Sequence, residues 1–484
     1  MSRGVSSVMP MSTPTPSNST TTSSTARPRY HLLKTLEHSQ REAVASSTMT
    51  ATCDNYMNAF ALHLGATSIQ MGFLTAVPQL LGSLMQLVSV WLGTFLTRRM
   101  LVLLTAVLQA ALMFAFAALA VQRTLGLIPT LILLVILYHC SSHLIQPQWR
   151  AWMGSLVPQK QRGVFFAART RLTMATSLAV FLGGGLFLSF TDIFGLAWLG
   201  FAFLFVVAML GRAFSCYFLF SMHDPAPQPV VAVSEQFYTT LRIVREAFSD
   251  RVFRRYSLFV AGMQGMVAIS GPFFAVYMLN ELQLSYFQYS VNQMVYIATQ
   301  FAMLPLWGRL NDKHGSRYIM LVCSTIMPIV PVLWLFSTSG WYLLLVQVVS
   351  GLVWSGFNLT TANYLYDIRP HQTNFATYAA IQAIVTAVMV FVGGIAGGYL
   401  AALSAVMIDW LPFDLESSLY IVFVVSGLLR AVVLLWFIPR AEEPRIRRRS
   451  HLLKLVYRVA RYNSISGIVL DWLTVTEKEN KDKP

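Results

Sequence analysis

The chain has 484 residues, of which 55% are hydrophobic and 11% charged, against about 25% charged in a soluble domain. With a mean hydropathy of +0.57, this excludes an ordinary soluble domain and implies a polytopic membrane protein. The net charge of +15 does not imply nucleic acid, because the basic residues sit in short loops and tails, where they act as topology and inner-leaflet signals.

Residues 1–40 form a Ser-, Thr- and Pro-rich tail with a short lead-in. The composition of residues 1–28 predicts disorder, and they contain no apolar core of a signal peptide. About twelve apolar runs follow, each long enough to cross a bilayer as a helix. They lie near 43–64, 68–95, 100–121, 126–153, 167–190, 194–220, 255–279, 285–308, 317–337, 342–365, 375–402 and 417–438. The chain divides into a six-helix bundle over 41–220, a linker with a surface helix over 221–253, a second six-helix bundle over 254–439 and a basic tail over 440–484. Cys53, Cys140, Cys216 and Cys323 fall inside apolar runs without paired spacing, which argues against a disulfide or a metal site.

Orientation follows the basic residues. Arg98, Arg99, Lys160, Arg162, Arg309, Lys313, Arg317 and Arg369 fall on one side of the membrane, and Arg123 alone on the other. Both termini are therefore expected in the cytoplasm. The tail holds eleven of the 35 lysines and arginines. Its Leu452, Leu453, Val456 and Val459 predict an amphipathic segment on anionic lipid. The halves also repeat each other: Arg212-Ala213 and Arg430-Ala431 lie about two turns before the ends of the sixth and twelfth runs, shallow enough to snorkel.

The stretch Gly308 to Arg317 is a polar island between two apolar runs and reads as a tight loop. Its spacing Gly308-x-Leu310-x-Asp312-x-x-Gly315-x-Arg317 resembles the loop signature of the major facilitator superfamily of secondary transporters. Trp152 to Pro158, followed by Arg162-Gly163 and Phe165-Phe166, looks like the loop between the fourth and fifth spans in a bacterial branch of that family. The resemblance implies an all-α fold of two pseudo-symmetric six-helix bundles in the bacterial inner membrane. It also implies a cavity lined by the first, fourth, seventh and tenth spans, and a gate formed by Gly308, Asp312, Gly315 and Arg317. The first-half counterpart of the signature keeps Leu92 and Arg99 but has Thr94 and Thr97 in place of the aspartate and glycine. Gly183-Gly184-Gly185 lacks the proline of the antiporter signature.

Asp54 is the acidic residue nearest the middle of any run. A charge at that depth costs about 2.5–3.5 kcal/mol on insertion scales unless it faces a wet cavity or a partner. Its expected role is proton coupling or substrate binding. His139 and His143 share a helix face one turn apart and are candidates for the same role. Asn55, Asn58, Gln264, Asn292, Gln293, Trp354 and Asn358 are cavity-lining candidates. Arg150, Arg169 and Asp367 are charges at the inner mouth, with pairing of the arginines to Asp312 or Asp367 across the gate as the expected arrangement. No nucleophile, base and orienter occur at convincing spacing, nor a phosphate loop, so no enzyme is expected, and no cofactor or metal. The expected function is a monomeric secondary transporter of a small solute working by alternating access, with protons as the coupling ion. A non-transporting receptor or assembly factor on the same scaffold, or an uncoupled facilitator, is the alternative.

Overall fold

A computed structural model of the chain describes residues 26–93, 95–122, 127–157, 162–224, 248–368, 375–408 and 415–438. Of the expected tail and lead-in over 1–40, residues 26–40 are helical, against the expected disorder to residue 28; residues 1–25, most of the linker and the basic tail over 440–484 lie outside the described residues. Among the described residues there is no strand.

Ten helical segments are long and apolar enough to span a membrane: Ser68–Ser89, Arg98–Val121, Ile128–Leu156, Phe165–Ile193, Ala197–Ser221, Arg251–Glu281, Ser316–Leu333, Gly340–Ile368, Tyr378–Met407 and Leu419–Phe437. Two further long helices, Ala26–His63 and Tyr286–His314, complete the set. Counted in chain order, these two are the first and eighth spans. They fall short of the others in hydropathy because they carry runs of Ser, Thr, Asn and Gln, and both face the interior cleft described below. The first helix starts well before the expected position 43. No glycine interrupts it, and Pro28 falls in its first turn, where the missing N–H costs nothing.

Turn chemistry sets the boundaries. The first span ends at Gly65, whose φ of 80° is a conformation glycine adopts without a Cβ penalty. The Ala66 N–H bonds to the Ala61 carbonyl and the Gly65 N–H to the Leu62 carbonyl, both at 2.9 Å, which is the Schellman closure. Gly195 repeats it after the fifth span, with Leu196 N bonded to Thr191 O and Gly195 N to Asp192 O. The second span opens with a capping box between Thr67 and Gln70, and the eighth opens with the same device between Ser285 and Gln288. Second and eighth are equivalent positions in two six-span repeats.

The ends of the molecule differ in charge. Arg98, Arg99, Arg251 and Arg317 mark a basic end, and the turns at Gly65, Gly195 and Gln283 mark the far end. At the far end one apolar cluster runs through both bundles, from Tyr56, Phe60 and Phe201 to Phe273, Tyr277 and Phe423. At the basic end each bundle has its own cluster, around Val102 and Trp152 in the first and around Phe253 and Trp307 in the second. Close van der Waals packing holds helices together within a bilayer, so the bundles are joined at the far end and separate toward the basic end.

The far-end seam is tight. The second span packs on the eleventh, and the fifth on the eighth. A Cβ at Gly72 would lie 2.6 Å from the Gly394 carbonyl oxygen and 3.0 Å from Gly398 Cα. These are backbone atoms that cannot rotate aside, so small residues here permit the close approach. Across the other pairing, the Tyr56 hydroxyl lies 2.9 Å from Ser290 Oγ, Phe287 N–H donates to Ser189 Oγ at 2.8 Å, and the Tyr289 hydroxyl donates to Asn55 O at 3.3 Å. Gly72→Val is expected to wedge this seam apart. A single cysteine placed at Ser290 should then react faster with a membrane-impermeant maleimide applied from the far side; unchanged labelling of a folded variant would show that the seam tolerates the added bulk.

Candidate functional site

The first span brings Ser47, Thr50, Asp54 and Asn58 onto one face, at spacings of three and four residues. Asp54 is accessible to solvent although protein surrounds it, because that face looks into the cleft between the bundles. It lies about 14 Å along the helix from His63 at 1.5 Å per residue. One carboxylate oxygen accepts a hydrogen bond of 2.8 Å from the Tyr138 hydroxyl of the fourth span. Tyr138 itself is buried, at 2% exposure, so the bond is fixed by packing on the tyrosine side and open on the aspartate side.

The fourth span continues the polar line. The His139 ring meets Tyr138 edge-on with centroids 5.4 Å apart. His143, a turn further, lies with Nδ1 3.0 Å from Gln86 Nε2 of the second span and packs against Gly82. Both histidines are half-buried. Asp54, Tyr138, His139, His143 and Gln86 thus link the first, fourth and second spans. Among the described residues no group of three or more His, Cys, Asp or Glu side chains is placed to hold a metal.

Other candidates divide. Asn55 commits its amide N–H to Ala51 O at 2.8 Å. Asn58, Gln264, Gln293 and Trp354 are half-buried, and Asn358 is exposed. Asn292 is only 3% exposed. Its Oδ1 accepts from Gln347 Nε2 at 2.7 Å, so it ties the eighth span to the tenth and does not line the cleft.

Between the first, fifth and eighth spans lies a cavity of about 290 Å³. Ser46, Ser47 and Thr50 form one wall, Thr173 and Ser177 the next, and Ile297 with Phe301 the third. It occupies the basic-end half of the cleft, below the closed seam.

The expected gate loop is not a loop. The eighth helix runs through Gly308 and Asp312 to His314, breaks at Gly315 (φ 88°), and restarts at Ser316. Lys313 and His314 fall in the last turn, where basic side chains suit the negative end of the helix dipole. Asp312 is exposed and Arg317 half-buried. Ser316 Oγ donates to Asp367 Oδ2 at 2.7 Å, joining the ninth span to the end of the tenth within the second bundle.

The inner-mouth arginines also depart from expectation. Arg169 does not reach across to Asp312 or Asp367. It is buried in the first bundle, where Nη2 donates to Glu42 Oε2 at 2.5 Å, Nη1 donates to the Ser39 side chain at 3.0 Å and to the Ser39 carbonyl, and the guanidinium lies 4.6 Å over the Trp149 ring. Arg150 bonds Gln146 in its own helix. Glu42 also accepts from Ser215 Oγ at 3.0 Å, and Arg212 Nη1 approaches it at 3.9 Å. Arg212 and Arg430 are 5% and 2% exposed, so neither snorkels. Arg430 bonds instead to Ser270 Oγ at 2.7 Å and Met327 O at 3.2 Å. Sequence reasoning missed Glu42, which lies just before the expected start of the first run, together with Tyr138 and Gln347.

The sequence model of the Major Facilitator Superfamily matches residues 258–474. A tetracycline resistance protein, class H, of Pasteurella multocida is 27% identical over 141 residues, 29% of this chain; the match spans 34%, about a third, of that relative. Among solved structures, a D-xylose–proton symporter superposes with a TM-score of 0.65 at 12% identity, covering 86% of this chain and 98% of that one. A bacterial homologue of the iron transporter ferroportin, in an inward-facing state, gives 0.64 at 13% identity, with 85% and 99% covered. At such identities the structures speak to the fold alone. The chain is a multi-pass membrane protein with this transporter fold, and it is similar to the Major Facilitator Superfamily over residues 258–474, a little under half of its length.

Proposed function

We propose that the protein is a secondary transporter that moves a small solute by alternating access and couples the movement to protons through Asp54. The observation that carries the reading is an accessible carboxylate on the wall of a cleft closed at one end and separable at the other. A group so placed meets one side of the membrane at a time as the bundles rock, so its proton can travel with the solute or against it. The basic end is taken as cytoplasmic from the distribution of arginine and lysine. In that orientation the structure corresponds to an inward-facing state. Tyr138 orients the carboxylate, and His139 and His143 extend the polar path. The break at Gly315, with Asp312 and Arg317 beside it, is the natural gate at the basic end. The names of similar proteins, a symporter of a sugar and protons among them, support a small solute and protons as partners.

The test is uptake by purified protein in proteoliposomes over a panel of solutes, with and without an imposed pH gradient. At least one solute should accumulate only when the gradient is present. Equal, downhill uptake under both conditions would make the protein a facilitator, and no uptake of any solute would favour a receptor or assembly role.

A further inference from the structure

The seventh and ninth spans are both broken part-way along, and one buried side chain lies between the breaks. Proline has no N–H, so a proline inside a helix frees the carbonyl four residues before it. In the seventh span the first helix ends at Ser270, Gly271 and Pro272 follow, and helix resumes at Phe273. Beyond that, Tyr277–Glu281 is wound as a π-helix, with Leu282 N–H donating to Tyr277 O at 2.9 Å; such turns interrupt the regular ladder. The ninth span stops at Ile326 and resumes at Ile329, after Met327 and Pro328. Its Pro331 leaves the Met327 carbonyl without an N–H from the next turn.

Arg430 of the twelfth span, 2% exposed, takes that carbonyl. Its Nη1 donates to Met327 O at 3.2 Å, and its Nη2 donates to Ser270 Oγ, beside the other break, at 2.7 Å. Ser426, a turn earlier on the twelfth span, donates to Met266 O at 2.6 Å. A Cβ on Gly427 would lie 2.7 Å from Pro328 O, so the twelfth span's backbone rests on the ninth span's break. Arg212, the repeat counterpart in the first bundle, has Glu42 at 3.9 Å. Arg430 has no carboxylate partner among the described residues; its bonds go to a main-chain carbonyl and a hydroxyl. Burying a guanidinium without a counter-charge is costly, and here the donors fill the gap that a proline makes.

Packing differs on the two sides of the breaks. On the basic side the seventh span is locked to the eleventh: Gly393 and Gly397 bring their backbone against the carbonyls of Gly265 and Ile269, where a Cβ would clash. That lock ends at Ile269, just before the break. On the far side Phe274 stacks on Phe423 of the twelfth span with centroids 4.6 Å apart and lies 4.9 Å from the Trp334 ring at the end of the ninth. The Tyr277 and Tyr420 hydroxyls are 3.0 Å apart. Phe273–Val276 also packs on the first span, across the seam. We propose that Arg430 is the pin of a hinge inside the second bundle: it positions residues 273–281, the far half of the seventh span, to close the seam against the first span. The basic half stays clamped to the eleventh span, so far-end closure has a local component beside the rocking of whole bundles. The hinge lies within one bundle and does not depend on which solute or ion is carried.

Spin-label distances on the full-length protein in lipid, at one fixed pH, test the hinge. Labels at Asp192→Cys and Glu281→Cys, in a background whose native cysteines are serine, span the seam from the fifth span to the end of the hinged segment. Labels at Arg171→Cys and Asp312→Cys report on the basic end. Arg430→Met fills the same space and loses every donor. It is expected to lengthen and broaden the far-end distance distribution and to leave the basic-end distribution unchanged. Ser270→Ala keeps the arginine and removes only its hold on the seventh span; it should act in the same direction to a smaller extent, and it carries the test if Arg430→Met does not fold. Adding Pro331→Ala to Arg430→Met returns an N–H to the Met327 carbonyl and should move the far-end distribution back toward that of the parent. An unchanged far-end distribution in either single variant, an accompanying shift at the basic end, or no recovery on adding Pro331→Ala would each overturn the proposal.

Discussion

Asp54→Asn should abolish gradient-driven accumulation while leaving exchange of solute between the two sides partly intact. The substitution keeps the size of the side chain and an oxygen to accept the Tyr138 hydroxyl, now 2.8 Å from the carboxylate, so packing in the first bundle is preserved. What it removes is the ability to bind and release a proton at the cleft wall. Net coupled transport needs that step in every cycle; exchange does not, because the loaded carrier can shuttle without net proton movement. The expected loss of accumulation is complete, well beyond the tenfold scale of a single neutral hydrogen bond. Counterflow and pH-driven uptake in the same proteoliposomes separate the two behaviours. An Asp54→Asn variant that still accumulates solute with protons as the only driving force would remove Asp54 from the coupling role and pass it to His139 or His143. Tyr138→Phe offers a graded companion: it frees the carboxylate without removing it, so accumulation should weaken and persist.

The second large effect concerns stability. Glu42 sits between Arg169 at 2.5 Å and Arg212 at 3.9 Å, with side chains of 5%, 11% and 5% exposure. Glu42→Ala would strand two buried guanidinium groups without a counter-charge. Breaking one partner out of such a buried cluster costs about 3–5 kcal/mol, enough to remove a large fraction of a domain's net stability. The thermal midpoint in detergent should fall steeply. The double variant Glu42→Ala with Arg169→Met should be less damaged than the sum of the two single changes, because the cost lies in the unpaired charge. Additive losses in that cycle would mean that Glu42 and Arg169 act independently.

The fold is legible because membrane solvation writes it in large letters: a span must be about twenty apolar residues long, and apolar runs of that length stand out together with the charged ends between them. The signature at Gly308 to Arg317 is legible as a pattern but not as a shape, since the same residues that read as a loop continue the eighth helix to His314. Hydropathy hides the first helix's true start because Ser39, Glu42, Ser46 and Ser47 lower the local average, so Glu42 falls just outside the expected span. Burial of Glu42 depends on Arg169 and Arg212, which are over a hundred residues away, and no local pattern joins them. Tyr138 is lost among apolar neighbours for the same reason: only the tertiary contact shows that its hydroxyl meets Asp54. Asn292 and Gln347 are separable from the cleft only once their mutual bond is known. One signal was available and unused. Thr-x-x-Gln at Thr67 and Ser-x-x-Gln at Ser285 are capping boxes that mark equivalent helix starts in the two halves.

The central claim, that two bundles exchange access around the Asp54 cleft, is tested most directly by paired spin-label distances in lipid. One pair, Asp192→Cys with Glu281→Cys, reads the far end; another, Arg171→Cys with Asp312→Cys, reads the basic end; all four parent residues are exposed. The native cysteines are replaced by serine, and the trigger is a change of pH across the range in which a carboxylate titrates. The account predicts opposed shifts: the far-end distance lengthens in one condition as the basic-end distance shortens. Distances that stay fixed at both ends, or change together, would contradict it.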